Sequence, residues 1–225
     1  MINITENQIA KLSDELYNIM IKMKSAGVFN AAKEVSIKRF HEFYQVNVDM
    51  YTRNSVDPIA CSKGCFYCCN LHVDTFPGEM TYILDRYRKQ YRETAYKEVV
   101  KKGKIRHEAT KDLSVDDQRN FKQPCPFLRG TLCSIYEYRP MSCRSMVVAD
   151  TPDLCIKSYV EDTEESVPFL AGPKLLQAFM SMALIVIYED ISFKDAILKC
   201  TKDQDKSWKS MQEAIVEYSN LNQNG

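Results

Sequence analysis

Cysteine is the residue type in this chain whose number and spacing could support chemistry. The sequence holds nine cysteines, and eight of them lie between positions 61 and 155. Four stand within nine positions, in the stretch Cys61-Ser-Lys-Gly-Cys65-Phe-Tyr-Cys68-Cys69. Thiolates bind zinc, iron–sulfur clusters and Cu(I) well, and they bind Mg²⁺ and Ca²⁺ poorly. The spacing therefore predicts a metal site built from sulfur ligands.

A second group of cysteines follows after 55 intervening residues. Its members are Cys125, Cys133, Cys143 and Cys155. Prolines and a glycine interrupt regular structure around these thiols, as expected where metal ligation fixes a loop. We expect the two groups to meet in space, and their segment to depend on the metal for its order. The ninth cysteine, Cys200, is assigned to the apolar face of a helix.

The cellular compartment decides whether clustered cysteines form disulfides or bind metal. The N-terminal residues lack the basic start and apolar core of a signal peptide. The longest apolar run, 175–188, has 14 residues, whereas a membrane-spanning helix needs about 20. The sequence therefore predicts a cytoplasmic protein with no membrane partner, in which reduced thiols are available to a metal.

Composition excludes several other functions. Lysine and arginine total 30, as do aspartate and glutamate, so no basic excess is present to bind nucleic acid. The seven glycines are widely spaced, which excludes a glycine-rich loop for nucleotide phosphates. The length of 225 residues predicts a single domain. We divide it into N-terminal helices (1–57), a cysteine-cluster metal-binding segment (58–160) and C-terminal core helices (161–225).

The elements that position the cysteines are predicted to be mainly α-helical, as a single helical domain with an irregular Cys-rich metal-binding central segment. Apolar residues recur at helical spacing from Ile9 to Met23, over 30–54 and after Pro77. The second of these helices should bury Ile37, Phe40, Phe43 or Tyr44, Val48 and Tyr51. The third should bury Met80, Ile83, Leu84, Tyr87 and Tyr91.

The rest of the chain is less periodic until its last third. The charged stretch 101–123 is predicted to be a solvated connection, with one helical turn after Ser114. The stretch 124–149 is predicted to be loop with short extended pieces, and a short helix should start at Thr151-Pro152 and carry Cys155. The remaining predicted helices are a central core helix over 175–188 and helices near 193–200 and 206–219.

Two strings of residues around the cysteines form a family pattern. They are CSKGCFYCC at 61–69 and, after Cys125 and Cys133, Tyr136-Glu137-x-Arg139-Pro140-x-x-Cys143-Arg144. The pattern resembles the YkgJ-type cysteine-cluster family, whose domain is described as zinc- or iron-chelating. The resemblance covers about residues 61–146 and implies metal binding by Cys61, Cys65, Cys68, Cys69, Cys125, Cys133 and Cys143. The assignment of Cys155 as a ligand rests on the spacing of the second group alone.

A further resemblance points to chemistry beyond metal binding. The flagellin lysine methylases carry a similar cluster, regarded as iron–sulfur, beside S-adenosylmethionine chemistry, which implies a protein substrate. Arg139 and Arg144 flank Cys143 and are candidates to lower thiol pKa values or to bind the carboxylate of S-adenosylmethionine. The spacing over 61–68 also resembles the radical S-adenosylmethionine motif, but the chain lacks the strand pattern of the barrel that such enzymes need.

Neighbouring residues have two interpretations each. His72 could join a mixed Cys/His site, but a surface or capping role is favoured because enough thiols are present. Glu79 could be a ligand or general base, but a helix-dipole role in the first turn is favoured. Cys69 is the least secure ligand of the first group, because adjacent residues such as Cys68 and Cys69 cannot easily point at one atom. A thioredoxin-like redox role for the C-x-x-C pair is the minor alternative.

The sequence leaves two functions open. One is a metalloenzyme or metal-dependent modifying protein, in which an iron–sulfur cluster is favoured because eight thiols exceed the four of a closed structural site. The other is a non-enzymatic interaction module with structural zinc, because no catalytic dyad is recognisable. Either function can use one metal centre or two.

Overall fold

The computed structural model of the chain describes residues 33–75, 78–149, 151–159 and 209–222, together with residues 18, 21–23, 25 and 167. This part of the protein is mainly α, as predicted. Its helices are α1 (Lys33–Arg53), α2 (Glu79–Gln90), α3 (Glu93–Thr110), α4 (Val115–Asn120), α5 (Met141–Ser145), α6 (Asp153–Tyr159) and α7 (Met211–Leu221).

Short strands and 3₁₀ turns connect the helices. The strands are β1 (Asp74–Thr75), β2 (Leu128–Arg129), β3 (Leu132–Cys133) and β4 (Lys209–Ser210). β1 pairs with β4 and β2 pairs with β3, both antiparallel. The 3₁₀ turns are Tyr136–Tyr138 and Tyr67–Asn70, and the latter is called the double-cysteine turn because it holds Cys68 and Cys69.

The core of the described part is formed by α2, α3 and α7. The predicted apolar stripe of α2 is confirmed, with Ile83, Leu84 and Tyr87 fully buried and Tyr91 partly buried beyond its end. Helix α7 lies against both α2 and α3. Gly103 permits a close approach of α3 and α7, since a Cβ there would stand 2.7 Å from Cγ2 of Ile215. Helix α7 thus packs directly on α3, which α4 connects to the second cysteine group.

Helix α1 agrees with the helix predicted over 30–54. Its buried side includes Phe40, Tyr44 and Val48, as expected from their spacing. The expected burial of Tyr51 is wrong, because this side chain lies in the exposed last turn and is 40% exposed. The buried side of α1 contacts α2 and α5, so it reaches the second cysteine group.

The prediction that residues 101–123 form a solvated connection is wrong for 101–110 and holds for the largely exposed residues 111–123. Residues 101–110 are the second half of the 18-residue helix α3. The buried positions in this half are Gly103, Arg106 and Thr110, none of which is an apolar side chain. The predicted turn after Ser114 is confirmed as α4, where the Ser114 hydroxyl accepts a hydrogen bond from the Asp117 amide.

The stretch 124–149 follows the predicted pattern of loop with short extended pieces. It contains the β2–β3 hairpin, in which Gly130 has φ +60°. It also contains α5, which the sequence analysis did not predict. Helix α6 follows Thr151-Pro152 as predicted. Helix α7 overlaps the helix predicted at 206–219, but it begins and ends later in the chain.

Several predictions fall largely or wholly on residues outside the described part. They are the apolar stripe from Ile9 to Met23, the core helix at 175–188, the helix at 193–200 and the assignment of Cys200 to the core. Of the first stripe, residues 18, 21–23 and 25 are helical and Met23 is buried. None of the helices among the described residues is both long and apolar enough to cross a membrane.

Candidate metal centre

The double-cysteine turn is the centre of the cysteine arrangement. Gly64, at φ +100°, makes the preceding turn, in which the Cys65 amide donates to the Ser62 carbonyl over 3.1 Å. A 3₁₀ helix has about three residues per turn, so consecutive side chains leave its axis about 120° apart. Cys68 and Cys69 therefore start in different directions. A hydrogen bond from the Cys69 thiol is the main cause that lowers the pKa of Cys68, and it raises that of Cys69.

The two cysteine groups meet in space, as predicted. The Cys125 amide donates a hydrogen bond of 2.8 Å to the Cys69 carbonyl, and the Gln123 amide donates one of 3.1 Å to the Asn70 carbonyl. Helix α7 adjoins the same region, because Sγ of Cys125 lies 3.7 Å from Sδ of Met211. The 55 residues between the two groups thus form a segment whose two ends are in contact.

Cys61 is attached to the chain that leads into α6. Its Sγ accepts a hydrogen bond from the Val148 amide at 3.2 Å and lies 3.4 Å from the Met146 carbonyl. The Ala60 amide donates to the Val148 carbonyl over 2.9 Å, next to an antiparallel bridge between Ile59 and Ala149. The first cysteine of the first group is therefore held by residues that follow Cys143.

Helix α6 packs against the double-cysteine turn and brings Cys155 with it. Burial raises the pKa of Cys155 to about 11, and the neighbouring charges that add to this rise belong to Cys61, Cys65 and Cys68. The sequence grouping of Cys155 with Cys125, Cys133 and Cys143 is thus corrected. The cause is the pairing of residues 59–61 with 146–149, which turns the chain back towards the first group.

Cys133 and Cys143 lie with Cys125. Cys133 ends the hairpin that starts at Leu128, its register partner. Burial raises the pKa of Cys143 well above its ordinary value, and the charges of Cys125, Cys68 and Cys133 add to the rise. These three cysteines are therefore electrostatic neighbours of one another and of the double-cysteine turn.

A buried carboxylate fixes the helix that carries Cys143. Glu79 is fully buried and accepts hydrogen bonds from Nε2 of His41 (2.7 Å) and from the amide of Met141 (2.8 Å). Glu79 stands in the first turn of its own helix, as predicted, but it also caps the N-terminus of α5. A carboxylate at a helix start satisfies an amide that has no partner within that helix. The position of Cys143 therefore depends on both α1 and α2.

Two arginines lie among the thiols, and they differ in exposure. Arg144 is 5% exposed and donates to the carbonyls of Arg139 (3.0 Å) and Glu137 (2.7 Å) and to Oε1 of Gln45. Burial is the main cause that lowers the pKa of Arg144 to about 10. Arg139 is half-buried and stacks on Tyr136, with 3.9 Å from its guanidinium carbon to the ring centroid.

The charge of Arg139 acts on thiols of both groups. Burial raises the pKa of Cys61 and of Cys133, and the guanidinium of Arg139 opposes that rise in each case. Of the two tyrosines that flank Glu137, Tyr138 is buried and Tyr136 is half-buried.

Arg106 of α3 is a structural residue of the site that the sequence analysis missed. It is 3% exposed and donates to the Leu71 carbonyl at 2.8 Å and to the Gln123 carbonyl. One guanidinium thereby holds the chain just after the first cysteine group and just before the second. Its spacing in the sequence could have indicated its burial. Arg106 stands three residues after Gly103 and four before Thr110, which places all three on the buried side of α3.

The side chain of His72 is largely buried, which contradicts the surface part of the expected surface or capping role. Its side chain is 7% exposed, and Nε2 donates to Oδ1 of Asp74 over 2.7 Å. Within the described part of the chain, Nδ1 of this ring is buried without a hydrogen-bond partner. A carboxylate that fixes one ring nitrogen is the usual support of a histidine that ligates metal through the other.

The chemistry of the donor set fits a metal that prefers sulfur. All eight described cysteines are outside disulfides, and the pKa is raised for each of them except Cys68. Metal binding would therefore displace protons from the thiols. Among the residues that the structure describes, no group of three or more Cys, His, Asp or Glu side chains has the arrangement of a preformed ion site.

Comparison with known proteins shows which family the cysteine-rich part of the chain resembles. Residues 60–165 match the family model CxxCxxCC, described as "Putative zinc- or iron-chelating domain". This part of the chain is therefore similar to a cysteine-based metal-chelating domain. The match confirms the resemblance to the YkgJ-type family, and it extends past the motif to include Cys155. Three residues separate Cys61 from Cys65 in this chain, whereas the pattern CxxCxxCC has two residues between its first two cysteines. No curated protein and no solved structure matched the chain.

Proposed function

We propose that this domain belongs to a cytoplasmic protein and holds one or two Cys-ligated metal centres, with iron–sulfur favoured over zinc, through the cysteines of both groups. The observation that carries the proposal is the contact of the two groups, through the 2.8 Å hydrogen bond between Cys125 and Cys69. The proposed ligands are Cys61, Cys65, Cys68, Cys69, Cys125, Cys133, Cys143 and Cys155. A bound cluster would supply one-electron chemistry or an open iron position for a substrate.

Two features support iron–sulfur over structural zinc. The eight thiols exceed the four that close a zinc site. The guanidinium of Arg139 lies near thiols of both groups and would offset the negative charge of a thiolate-bound cluster. Buried Arg144 shapes the loop before Cys143 through its bonds to two carbonyls of that loop.

Purification without oxygen, followed by metal analysis, tests the proposal. We expect iron, acid-labile sulfide and visible absorption, all strongly reduced in Cys65→Ser. Cys200→Ser is the matched control and should keep the wild-type metal content, because its thiol is assigned to the core. A colourless wild-type protein that contains zinc and no sulfide would contradict the iron–sulfur assignment and favour an interaction module with structural zinc.

A link to S-adenosylmethionine and a protein substrate is the finer part of the proposal. Arg139 is half-buried and stacked on Tyr136, so its guanidinium is held beside the thiols at a position that solvent reaches. An arginine in this setting can pair with the carboxylate of S-adenosylmethionine. Equilibrium dialysis should detect binding in the wild type and at least tenfold weaker binding in Arg139→Gln. Lys63→Gln, which changes an exposed cation near the same tyrosine, is the control. Equal binding by all three proteins would rule out this role of Arg139.

A further inference from the structure

We propose that the eight thiols form two separate four-sulfur sites, one on each side of the double-cysteine turn. Site one consists of Cys61, Cys65, Cys68 and Cys155. Site two consists of Cys69, Cys125, Cys133 and Cys143. The inference rests on the proposed metal function, and it adds which thiols share a metal.

Site one is assembled by the chain that returns after the second cysteine group. The sulfur of Cys61 is held because it accepts from the Val148 amide and donates to the Met146 carbonyl. Helix α6 begins four residues beyond the bridge at Ala149. Packing of α6 against the double-cysteine turn places Cys155 on that side. The turn at Gly64 brings Cys65 to the same region, because it connects Cys61 directly to the double-cysteine turn.

Site two is assembled by the loops between α4 and α5. The bond from the Cys125 amide to the Cys69 carbonyl joins this side to the double-cysteine turn. The Ser134 amide donates to the Phe127 carbonyl over 3.0 Å, which ties the end of the hairpin that carries Cys133 to the chain next to Cys125. Glu79 fixes the start of α5, and with it Cys143.

The two cysteines of the double-cysteine turn divide between the sites. The C-x-x-C spacing from Cys65 assigns Cys68 to site one. The hydrogen bond that the Cys69 carbonyl accepts from the Cys125 amide assigns Cys69 to site two.

Four thiolates are the complete ligand set of one zinc ion or one cluster. The adjacent pair of cysteines, which cannot easily serve one atom, then contributes one sulfur to each site. This division uses each of the eight described cysteines once.

Zinc titration of the reduced, metal-free chain tests the division, because Zn²⁺ is a probe that takes four thiolates. We expect two equivalents bound per chain and eight thiols protected from alkylation at saturation. At one equivalent, mass spectrometry should find protection of the cysteines in sets of four that match site one or site two.

Variants locate each site. Cys61→Ser and Cys155→Ser should each bind one equivalent and keep the thiols of site two protected. Cys133→Ser and Cys143→Ser should each bind one equivalent and keep the thiols of site one protected. Cys200→Ser should bind two equivalents. One bound equivalent with protected thiols from both sets would overturn the division, as would a Cys155 that is alkylated at saturation.

The outcomes separate this inference from the function on which it rests. A wild-type chain that binds no Zn²⁺ and contains no metal as purified would overturn the metal function itself. A chain that binds metal with a mixed ligand set would overturn only the division into two sites. If a variant loses its helical circular dichroism, the division into two sites is judged from the pattern of protected thiols in the wild type.

Discussion

The helical core and the cysteine-bearing segments are held together by different interactions. The core of α2, α3 and α7 depends on fully buried apolar side chains such as Ile83 and Ile215. The cysteine segments are anchored by long-range hydrogen bonds of buried charged side chains. Glu79 accepts from the Met141 amide, Arg106 donates to the Leu71 carbonyl and Arg144 donates to Oε1 of Gln45. Two of these three anchors stand on core helices. The comparison shows that irregular segments can take their positions from the core through a few polar contacts.

Metal removal should produce the largest difference between the two regions. A chelator should make the cysteine-bearing parts of residues 58–160, outside α2 and α3, sensitive to protease while most of the helical circular dichroism persists. The reason is that metal-binding free energy acts as folding free energy for a site that depends on its ligand. Limited proteolysis with mass mapping of the first cuts measures this. Cuts that appear first within α2 or α7 would contradict the expected independence of the core.

Loss of the Glu79 carboxylate should have the next largest effect. Glu79→Leu leaves Nε2 of His41 and the Met141 amide buried without their acceptor, which should lower the free energy of unfolding by about 3 kcal/mol. Glu79→Gln keeps a carbonyl oxygen and should lower it by about 1 kcal/mol. Chemical denaturation of both variants checks the order. If the two variants were equally stable, the cap on α5 would contribute nothing measurable.

Replacement of Arg106 should loosen the contact between the two cysteine groups. Arg106→Met keeps much of the side-chain volume but removes the donors to the Leu71 and Gln123 carbonyls, which should cost about 2 kcal/mol. Lys104→Met, on the exposed side of the same helix, is the matched control and should change stability by less than about 0.5 kcal/mol. Hydrogen exchange at the Cys125 amide should also accelerate in the Arg106 variant alone. Unchanged exchange at the Cys125 amide would show that Arg106 does not anchor the contact between the two cysteine groups.

The smallest effect is expected from the exposed ion pair that also joins the two segments. Lys63 and Glu137 are 3.2 Å apart, and their side chains are 70% and 69% exposed. Lys63→Ala should change the free energy of unfolding by no more than about 0.5 kcal/mol, because solvent screens such pairs. A double-mutant cycle with Glu137→Ala measures the coupling. A coupling as large as the effect of Arg106→Met would mean that surface charges share the anchoring.

Helices with continuous apolar stripes could be predicted from the sequence, and helix α3 could not. In α1 and α2, side chains such as Phe40 and Ile83 recur at helical spacing and are buried as expected. The second half of α3 buries Gly103, Arg106 and Thr110 instead. The first makes room for Ile215 and the second donates to two carbonyls. Both roles depend on residues far along the chain, so local periodicity does not contain them.

The cysteine-rich site could be located from the sequence, but its internal arrangement could not. Spacing and residue type indicate which thiols are available to a metal. The neighbours of Cys155 depend on the bridge between Ile59 and Ala149, a pairing of residues 90 positions apart. The role of Glu79 depends in the same way on the amide of Met141. These contacts arise only when distant segments pack together.

The contacts of α7 have a consequence for the order in which the protein is made. The Met211 amide donates to the Val73 carbonyl over 2.8 Å, its sulfur lies against Cys125, and β4 pairs with β1. Residues 209–222 are synthesised after all eight clustered cysteines. A nascent chain therefore presents those thiols to the cell before this side of their surroundings exists. Delivery of metal during translation would meet a more open set of sulfurs than delivery to the finished protein.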